Sequence, residues 1–182
     1  MGHWKSLGLI FFLLFCACSR NPAPQAETST LELVVLHTND HHGHPLKFFN
    51  HPGPNAAGLA ARATLVAGVK KTHRNVLVLD AGDINTGRPE SNLFKGEPDI
   101  LGYNAIGYDA LSLGNHEFDN GLEVLLEQAG KAQFPFLSAN VYRKQGPWPV
   151  KPYTIKAMKG FRVAVLGLTT SELGKVAKKS VL

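Results

Sequence analysis

The sequence predicts a layered α/β domain of the βαβ type, with strands alternating with covering helices. Two observations carry this. Short apolar runs at residues 31–36, 76–79 and 110–113 alternate with segments of helical periodicity. Each of the three runs then leads into a polar cluster: Asp40-His41-His42-Gly43, Gly82-Asp83 and Gly114-Asn115-His116-Glu117. Loops at strand ends are where an open α/β sheet places its site.

The elements follow in order. Residues 31–36 are mostly apolar and rich in branched side chains, which suits a strand. Residues 37–54, dense in His, Asn, Gly and Pro, form a loop. Residues 56–71 read as a helix: Leu59, Ala63, Val66 and Val69 recur at helical spacing, and Lys70-Lys71 suit its C-terminal end. The strand at 76–79 is apolar throughout, as expected where both faces of a sheet are covered. Residues 80–90 form a loop, 98–106 a short helix, and 110–113 a third strand running into Gly114. Residues 120–129 form a helix that partly buries Leu122, Val124, Leu125 and Leu126, with Gly130 as its stop. Residues 134–137 and 162–168 are two further strands. No internal repeat is evident. A last strand followed only by a loop or helix start predicts a fold incomplete at its C-terminus.

The chain has 182 residues, 44% of them hydrophobic, which suffices for one domain with a core or for part of a larger one. The formal charge of +5 is dispersed, with Lys doublets only at Lys70-Lys71 and Lys178-Lys179. No Arg/Lys stripe interleaved with aromatics appears, so no nucleic-acid partner is expected. Residues 1–17 read as a signal peptide. The apolar run at 7–15 is well short of the ~20 residues that span a bilayer. It ends in Phe15-Cys16-Ala17-Cys18, which resembles the bacterial lipobox, with cleavage before Cys18 and lipid on that residue. Ser19 after it favours the outer membrane, facing the periplasm or the cell surface; the rival is an ordinary secreted, soluble periplasmic protein. Residues 18–30, rich in Pro, Ala, Ser and Thr, form a flexible tether, and residues 31–182 the N-terminal part of a folded domain. Both cysteines lie within the first twenty residues, so the domain has no disulfide, Cys nucleophile or Cys–zinc ligation.

The three clusters suit a pair of divalent metal ions. Asp40 and His42 alternate in an extended Asp-x-His, so both point to one side, and Gly43 lets the backbone turn closely behind them. Asp83 has two oxygens and can bridge two ions. The Asn115 amide oxygen is a neutral ligand. Asp119, three residues beyond His116, is placed to hold that ring by one nitrogen, leaving the other to stabilise a phosphoryl transition state or protonate a leaving oxygen. Carboxylate, imidazole and amide ligands are compatible with Zn, Mn, Co or Mg. The chemistry they suit is metal-assisted hydrolysis of a phosphate ester. His3, His51 and His73 read as surface or capping residues, His41 and His44 as shaping the first loop, and His37 as supporting or structural. Asp80 reads as a turn former and Glu117 as a loop hydrogen-bonder.

These residues resemble the metallophosphoesterase superfamily and, within it, the bacterial 5′-nucleotidases of the periplasmic UDP-sugar hydrolase type. The resemblance runs from about residue 33 to residue 170. Its marks are His37-Thr38-Asn39-Asp40-His41-His42-Gly43-His44, the run from Gly82-Asp83 through Asn85-Thr86-Gly87-Arg88-Pro89-Glu90-Ser91, Gly107-Tyr108-Asp109-Ala110, Gly114-Asn115-His116-Glu117-Phe118-Asp119-Asn120 and Phe136-Leu137-Ser138-Ala139-Asn140. It implies a layered αββα sandwich and a monomer acting on nucleotides. It implies that Asp40 and His42 bind the first ion, that Asp83 bridges both, that Asn115 binds the second, and that His116 and Asp119 form a catalytic dyad beside an in-line attack on phosphorus. Members complete their metal shells with later His residues and a Gln, and hold the nucleoside in a C-terminal domain. No His follows His116 here. The chain therefore resembles the N-terminal part of such an enzyme, with weak metal affinity and little or no nucleotidase activity expected of the 182 residues alone. Two rivals stand beside this reading. One is a different esterase on the same domain, such as a 2′,3′-cyclic nucleotide phosphodiesterase with 3′-nucleotidase activity, or a thiosulfohydrolase. The other is a lipoprotein that binds metal without catalysis.

Overall fold

The computed structural model describes residues 30–48 and 58–176. The expectations for the signal peptide, Cys18, nearly all of the tether, His3, His51 and Lys178-Lys179 lie outside the described residues. The unit that begins at Leu31 carries every element below.

Four strands form a parallel sheet in chain order: β1 (Val34–Thr38), β2 (Val76–Asp80), β3 (Ala110–Ser112) and β4 (Phe136–Leu137). β1 and β2 align Val34 with Val76 through Thr38 with Asp80, so both strands deliver their chains to the same sheet edge. That register moves β1 away from the expected 31–36. It begins at Val34 and takes in His37 and Thr38, while Leu31 stays exposed. The connections are α1 (Leu59–Thr72), then α2 (Pro89–Leu93) and α3 (Glu97–Ile106), then a 3-10 turn (His116–Phe118) and α4 (Leu122–Lys131). Ile100, Tyr103 and Ile106 of α3 and Leu125 of α4 bury in one cluster with Val78 and Leu111. This is the helix-covered face, and each such aliphatic side chain stabilises the fold by about 1.5–3 kcal/mol.

An antiparallel pair, β5 (Tyr153–Met158) and β6 (Phe161–Leu166), forms a second sheet. Val165 and Leu166 line a cavity of about 240 Å³ together with Leu79, Ala110, Ser112 and Leu137 of the parallel sheet. The layers are thus helices, parallel sheet and antiparallel pair. This is the α/β sandwich with its second helix layer missing among the described residues, apart from the single turn α5 (Leu173–Val176). No helix among the described residues is long and apolar enough to cross a membrane.

Three departures from expectation have local causes. Gly130 does not stop α4; the helix passes through it to Lys131, and its cap, Ala132, donates its N–H to the Gln128 carbonyl just before the bend at Gln133-Phe134. α2 arises inside the expected 80–90 loop, because Pro89 takes the first helical position, where its missing N–H costs nothing. β5 carries no strand signal in its sequence, because its half-buried set is Thr154, Lys156 and Met158, which is not an apolar alternation. The turn Lys159-Gly160, with Gly160 at φ 95°, was the available hairpin signal.

Candidate metal centre and catalytic dyad

The ends of β1, β2 and β3 carry the three polar loops, and hydrogen bonds zip them together. Asp40, His42 and Gly43 donate their N–H groups to the carbonyls of Gly82, Asp83 and Ile84 at 3.0, 3.0 and 2.8 Å. The second and third loops are joined by Glu117, whose buried carboxylate accepts the N–H groups of Asp83 (2.9 Å), Ile84 (2.8 Å) and Gly114 (2.6 Å). His116 N–H donates to Asp83 Oδ1 at 2.9 Å. A sequence reading can note the three loops; only this cross-bonding makes them one site.

Asp40 and His42 do meet, but not in an extended strand. Their φ angles are 52° and 45°, both left-handed, and Asp83 follows at 59°. Left-handed backbone costs an L-residue about 1–2 kcal/mol, and three expected metal ligands carry it. The parallel run against residues 82–84 holds the first loop in this tight turn. A Cβ on Gly43, itself at φ 57°, would overlap the Ser91 side chain. The curl brings His42 Nε2 to 3.5 Å from Asp40 Oδ1, and the Asn39 amide donates to Asp40 Oδ2.

One ligand atom each from His42, Asp83 and His116 falls within a 4.8 Å cluster. His42 Nδ1–H donates to the Thr86 carbonyl at 3.1 Å, which leaves Nε2 for a cation. The donor set is imidazole and carboxylate, with Asp40 beside His42 on one side. On the other, half-buried Asn115 stands directly before His116, its amide without a hydrogen-bond partner among the described residues. Such N/O donors fit divalent ions of the first transition row. His116 Nδ1 lies 2.6 Å from Asp119 Oδ2, and the His42 and His116 rings meet edge-on at 4.8 Å. Partial burial works against charging His116. The Asp119 hydrogen bond and charge, with Asp83 and Glu117 behind them, outweigh it and raise the pKa above its ordinary value.

Several contributors were not singled out in the sequence. Thr86, also left-handed at φ 55°, reaches both His116 and Asp119. His41, which the sequence assigned to loop shaping, is buried. Its Nε2–H donates to Asp99 (2.8 Å), since Arg62 Nη2 donates to Nδ1 (3.3 Å). Asp99 also accepts from Ser91 Oγ at 2.5 Å. Asp80 does more than form its turn with the Gly82 N–H (2.8 Å): it accepts the Thr38 hydroxyl (2.5 Å) and the Tyr103 hydroxyl (2.8 Å). Burial pushes its pKa up against those bonds. Single polar residues in helices give no periodic signal, so nothing in the sequence paired Arg62 or Asp99 with His41. His44 Nδ1–H bonds the His41 carbonyl at 2.9 Å, and His73 caps the end of α1. His37 is exposed at the edge of the inter-sheet cavity.

Comparison with known proteins accords with this geometry. A family model described as calcineurin-like phosphoesterase matches residues 33–166. The chain is similar to Protein UshA of Escherichia coli K12, with 43% identity over 177 residues, 94% of this chain and 32% of that protein. It is similar to a 5′-nucleotidase of Vibrio cholerae, with 48% identity over 165 residues, 87% of this chain and 29% of that protein. Among solved structures it resembles a 5′-nucleotidase precursor of Thermus thermophilus, with a TM-score of 0.74 and 34% identity over 80% of this chain and 30% of that one. The chain spans about a third of the length of the curated relatives it matches.

Proposed function

The chain belongs to the calcineurin-like phosphoesterase family, and from that premise we propose that it carries the metal-holding part of a site that hydrolyses nucleotide phosphate esters, of the 5′-nucleotidase type. The observation that carries the reading is the 4.8 Å cluster of His42, Asp83 and His116 ligand atoms beside the 2.6 Å His116–Asp119 contact. Asp40, His42 and Asp83 would hold one divalent ion, and Asp83 with Asn115 a second. Bound there, the ions supply positive charge for the phosphate oxygens and for the attacking water. The protein's own groups do the rest. Asp119 fixes the His116 ring, and His116 presents its other nitrogen to stabilise phosphoryl charge or protonate the leaving oxygen. The loop bonds around Asp83 hold the carboxylates in place without rearrangement. The substrates proposed are nucleoside monophosphates, with sugar nucleotides such as UDP-glucose as a second class, and the acting form is a monomer.

A Mn²⁺ titration run beside a hydrolysis panel tests this on the 182-residue chain. Mn²⁺ is expected to bind weakly, because no His follows His116 to complete the shells, and AMP, UDP-glucose and 2′,3′-cyclic AMP to turn over at trace level or not at all. Failure to bind Mn²⁺ at millimolar concentration would overturn the metal-site reading. AMP turnover matching that of a complete relative, and lost in Asp83→Ala, would overturn the reading that the chain holds only part of the site. Preferred cleavage of the cyclic nucleotide would move the substrate class to the phosphodiesterases.

We also propose export and lipid attachment at Cys18, supported by the apolar run at 7–15 and by Ala17-Cys18 after it. Palmitate labelling in a bacterial host should mark the wild-type chain and be lost in Cys18→Ala. An unlabelled wild type recovered from the periplasmic fraction would favour the ordinary secreted form.

A further inference from the structure

Thr86 touches both halves of the site. Its carbonyl accepts His42 Nδ1–H at 3.1 Å. Its hydroxyl donates to Asp119 Oδ2 at 2.9 Å, and the same oxygen lies 3.1 Å from His116 Nδ1. The Nδ1–H of His116 is therefore shared between Asp119, at 2.6 Å, and the Thr86 oxygen. Thr86 does this at φ 55°, a conformation that β-branched residues rarely adopt.

The neighbours impose that conformation. Asn85, fully buried, exchanges hydrogen bonds with the Gln128 amide of α4 at 2.9 and 3.2 Å. On the other side, Gly87 passes so close to the His42 carbonyl that any Cβ there would overlap it. With residue 85 anchored to a helix and residue 87 pressed against the first loop, Thr86 has one way to span the gap. Strain held in place by its surroundings at such a point motivates a functional reading.

We propose that Thr86 is a positioning residue that couples the two halves of the site. Its backbone carbonyl sets which nitrogen of His42 faces the cation, and its hydroxyl completes the His116–Asp119 pair as a third member. This rests on the metal-site reading above for the His42 arm and on geometry alone for the His116 arm.

Three variants of the 182-residue chain separate these arms from a merely strained turn. The readouts are Mn²⁺ affinity, by paramagnetic titration, and the ¹⁵N and ¹H shifts of the His116 ring. Thr86→Ser keeps the hydroxyl and should retain both readouts. Thr86→Val keeps the branched shape but loses the hydroxyl, and should shift the His116 ring signals while leaving Mn²⁺ affinity near the wild-type value. Thr86→Gly relieves the backbone and keeps the carbonyl on His42 Nδ1, so it should melt no lower than wild type and hold Mn²⁺ as tightly, yet lose the native His116 signals. The ¹⁵N shifts of the metal-free His42 ring should report a proton on Nδ1, and a proton on Nε2 would overturn the His42 arm. If Thr86 merely occupied a strained turn, Thr86→Gly would leave the His116 signals at their wild-type shifts, and that result would overturn the His116 arm. So would Thr86→Val with unchanged His116 shifts. A wild type that binds no Mn²⁺ but whose His116 shifts respond as stated would remove the metal reading and the His42 arm, and leave the His116 arm standing.

Discussion

A Glu117→Gln variant is expected to lose about 3 kcal/mol of unfolding free energy, read as a lower urea midpoint at unchanged slope. One Glu117 oxygen accepts the N–H groups of Asp83 and Gly114, and the other accepts that of Ile84, with the residue 1% exposed. Gln has a single acceptor oxygen. Whichever way it turns, its NH₂ group faces at least one of these N–H donors, which is then buried without a partner. Glu117→Ala would leave all three unpaired and open a void, at about 5 kcal/mol, comparable to the whole stability of some domains. Because Glu117 ties the loop bearing Asp83 to the loop bearing Asn115, both variants should also weaken Mn²⁺ binding. A Gln variant with the wild-type midpoint would show that the loops are held by other contacts.

The same residue gives the domain a pH dependence of known sign. Burial, with the nearby Asp83 charge, pushes the Glu117 carboxyl from 4.5 up to about 7, against the pull of its three N–H bonds. The metal-free fold therefore holds this proton more tightly than the unfolded chain does. Between pH 4.5 and about 7 the unfolded chain releases it first, so burying Glu117 costs more stability as pH rises through that window and levels off above it. The Gln variant lacks this titration. Its deficit relative to wild type should shrink between about pH 5 and about pH 7.5. A deficit that stayed level across that window would mean that Glu117 is ionised throughout it.

Asp83→Asn should lower Mn²⁺ affinity more than ~100-fold, since losing a direct ligand exceeds the 10–100-fold effect of losing a ligand's supporting partner. The substitution keeps an oxygen for the His116 N–H, which Asp83 Oδ1 accepts at 2.9 Å, so the variant should fold and melt near wild type. Asp83 is the member of the cluster reached from both neighbouring loops. Its carbonyl accepts the His42 N–H, its N–H donates to Glu117, and its carboxylate lies beside both rings. A Mn²⁺ affinity within about threefold of wild type would exclude Asp83 from the site.

The sheet was legible because parallel strands buried on both faces leave continuous apolar runs; residues 76–79 predicted β2 to within one residue. The polar clusters were legible because they follow those runs directly. The second sheet was half legible. β6 was anticipated at 162–168 and found at Phe161–Leu166, whereas β5 packs Thr154 and Lys156 inward and exposes Ile155, inverting the usual pattern. The expected extended Asp-x-His failed for a similar reason. Backbone direction at Asp40 and His42 is held by hydrogen bonds to residues 82–84, some forty positions away in sequence, which no local pattern reveals.

By itself the sequence determined the order of the four parallel strands and of α1, α3 and α4 between them, the residue types that gather at the strand ends, and the pairing of His116 with Asp119, because periodicity and short spacings are local properties. Only the tertiary structure decided how three loops become one cluster. It set the left-handed turns at Asp40, His42, Asp83 and Thr86, the Glu117 clamp across two loops, and the Arg62–His41–Asp99 chain behind the first loop. Each of these depends on hydrogen bonds between residues far apart in the chain, and their buried donors and acceptors find partners only once the sheet has brought those residues together.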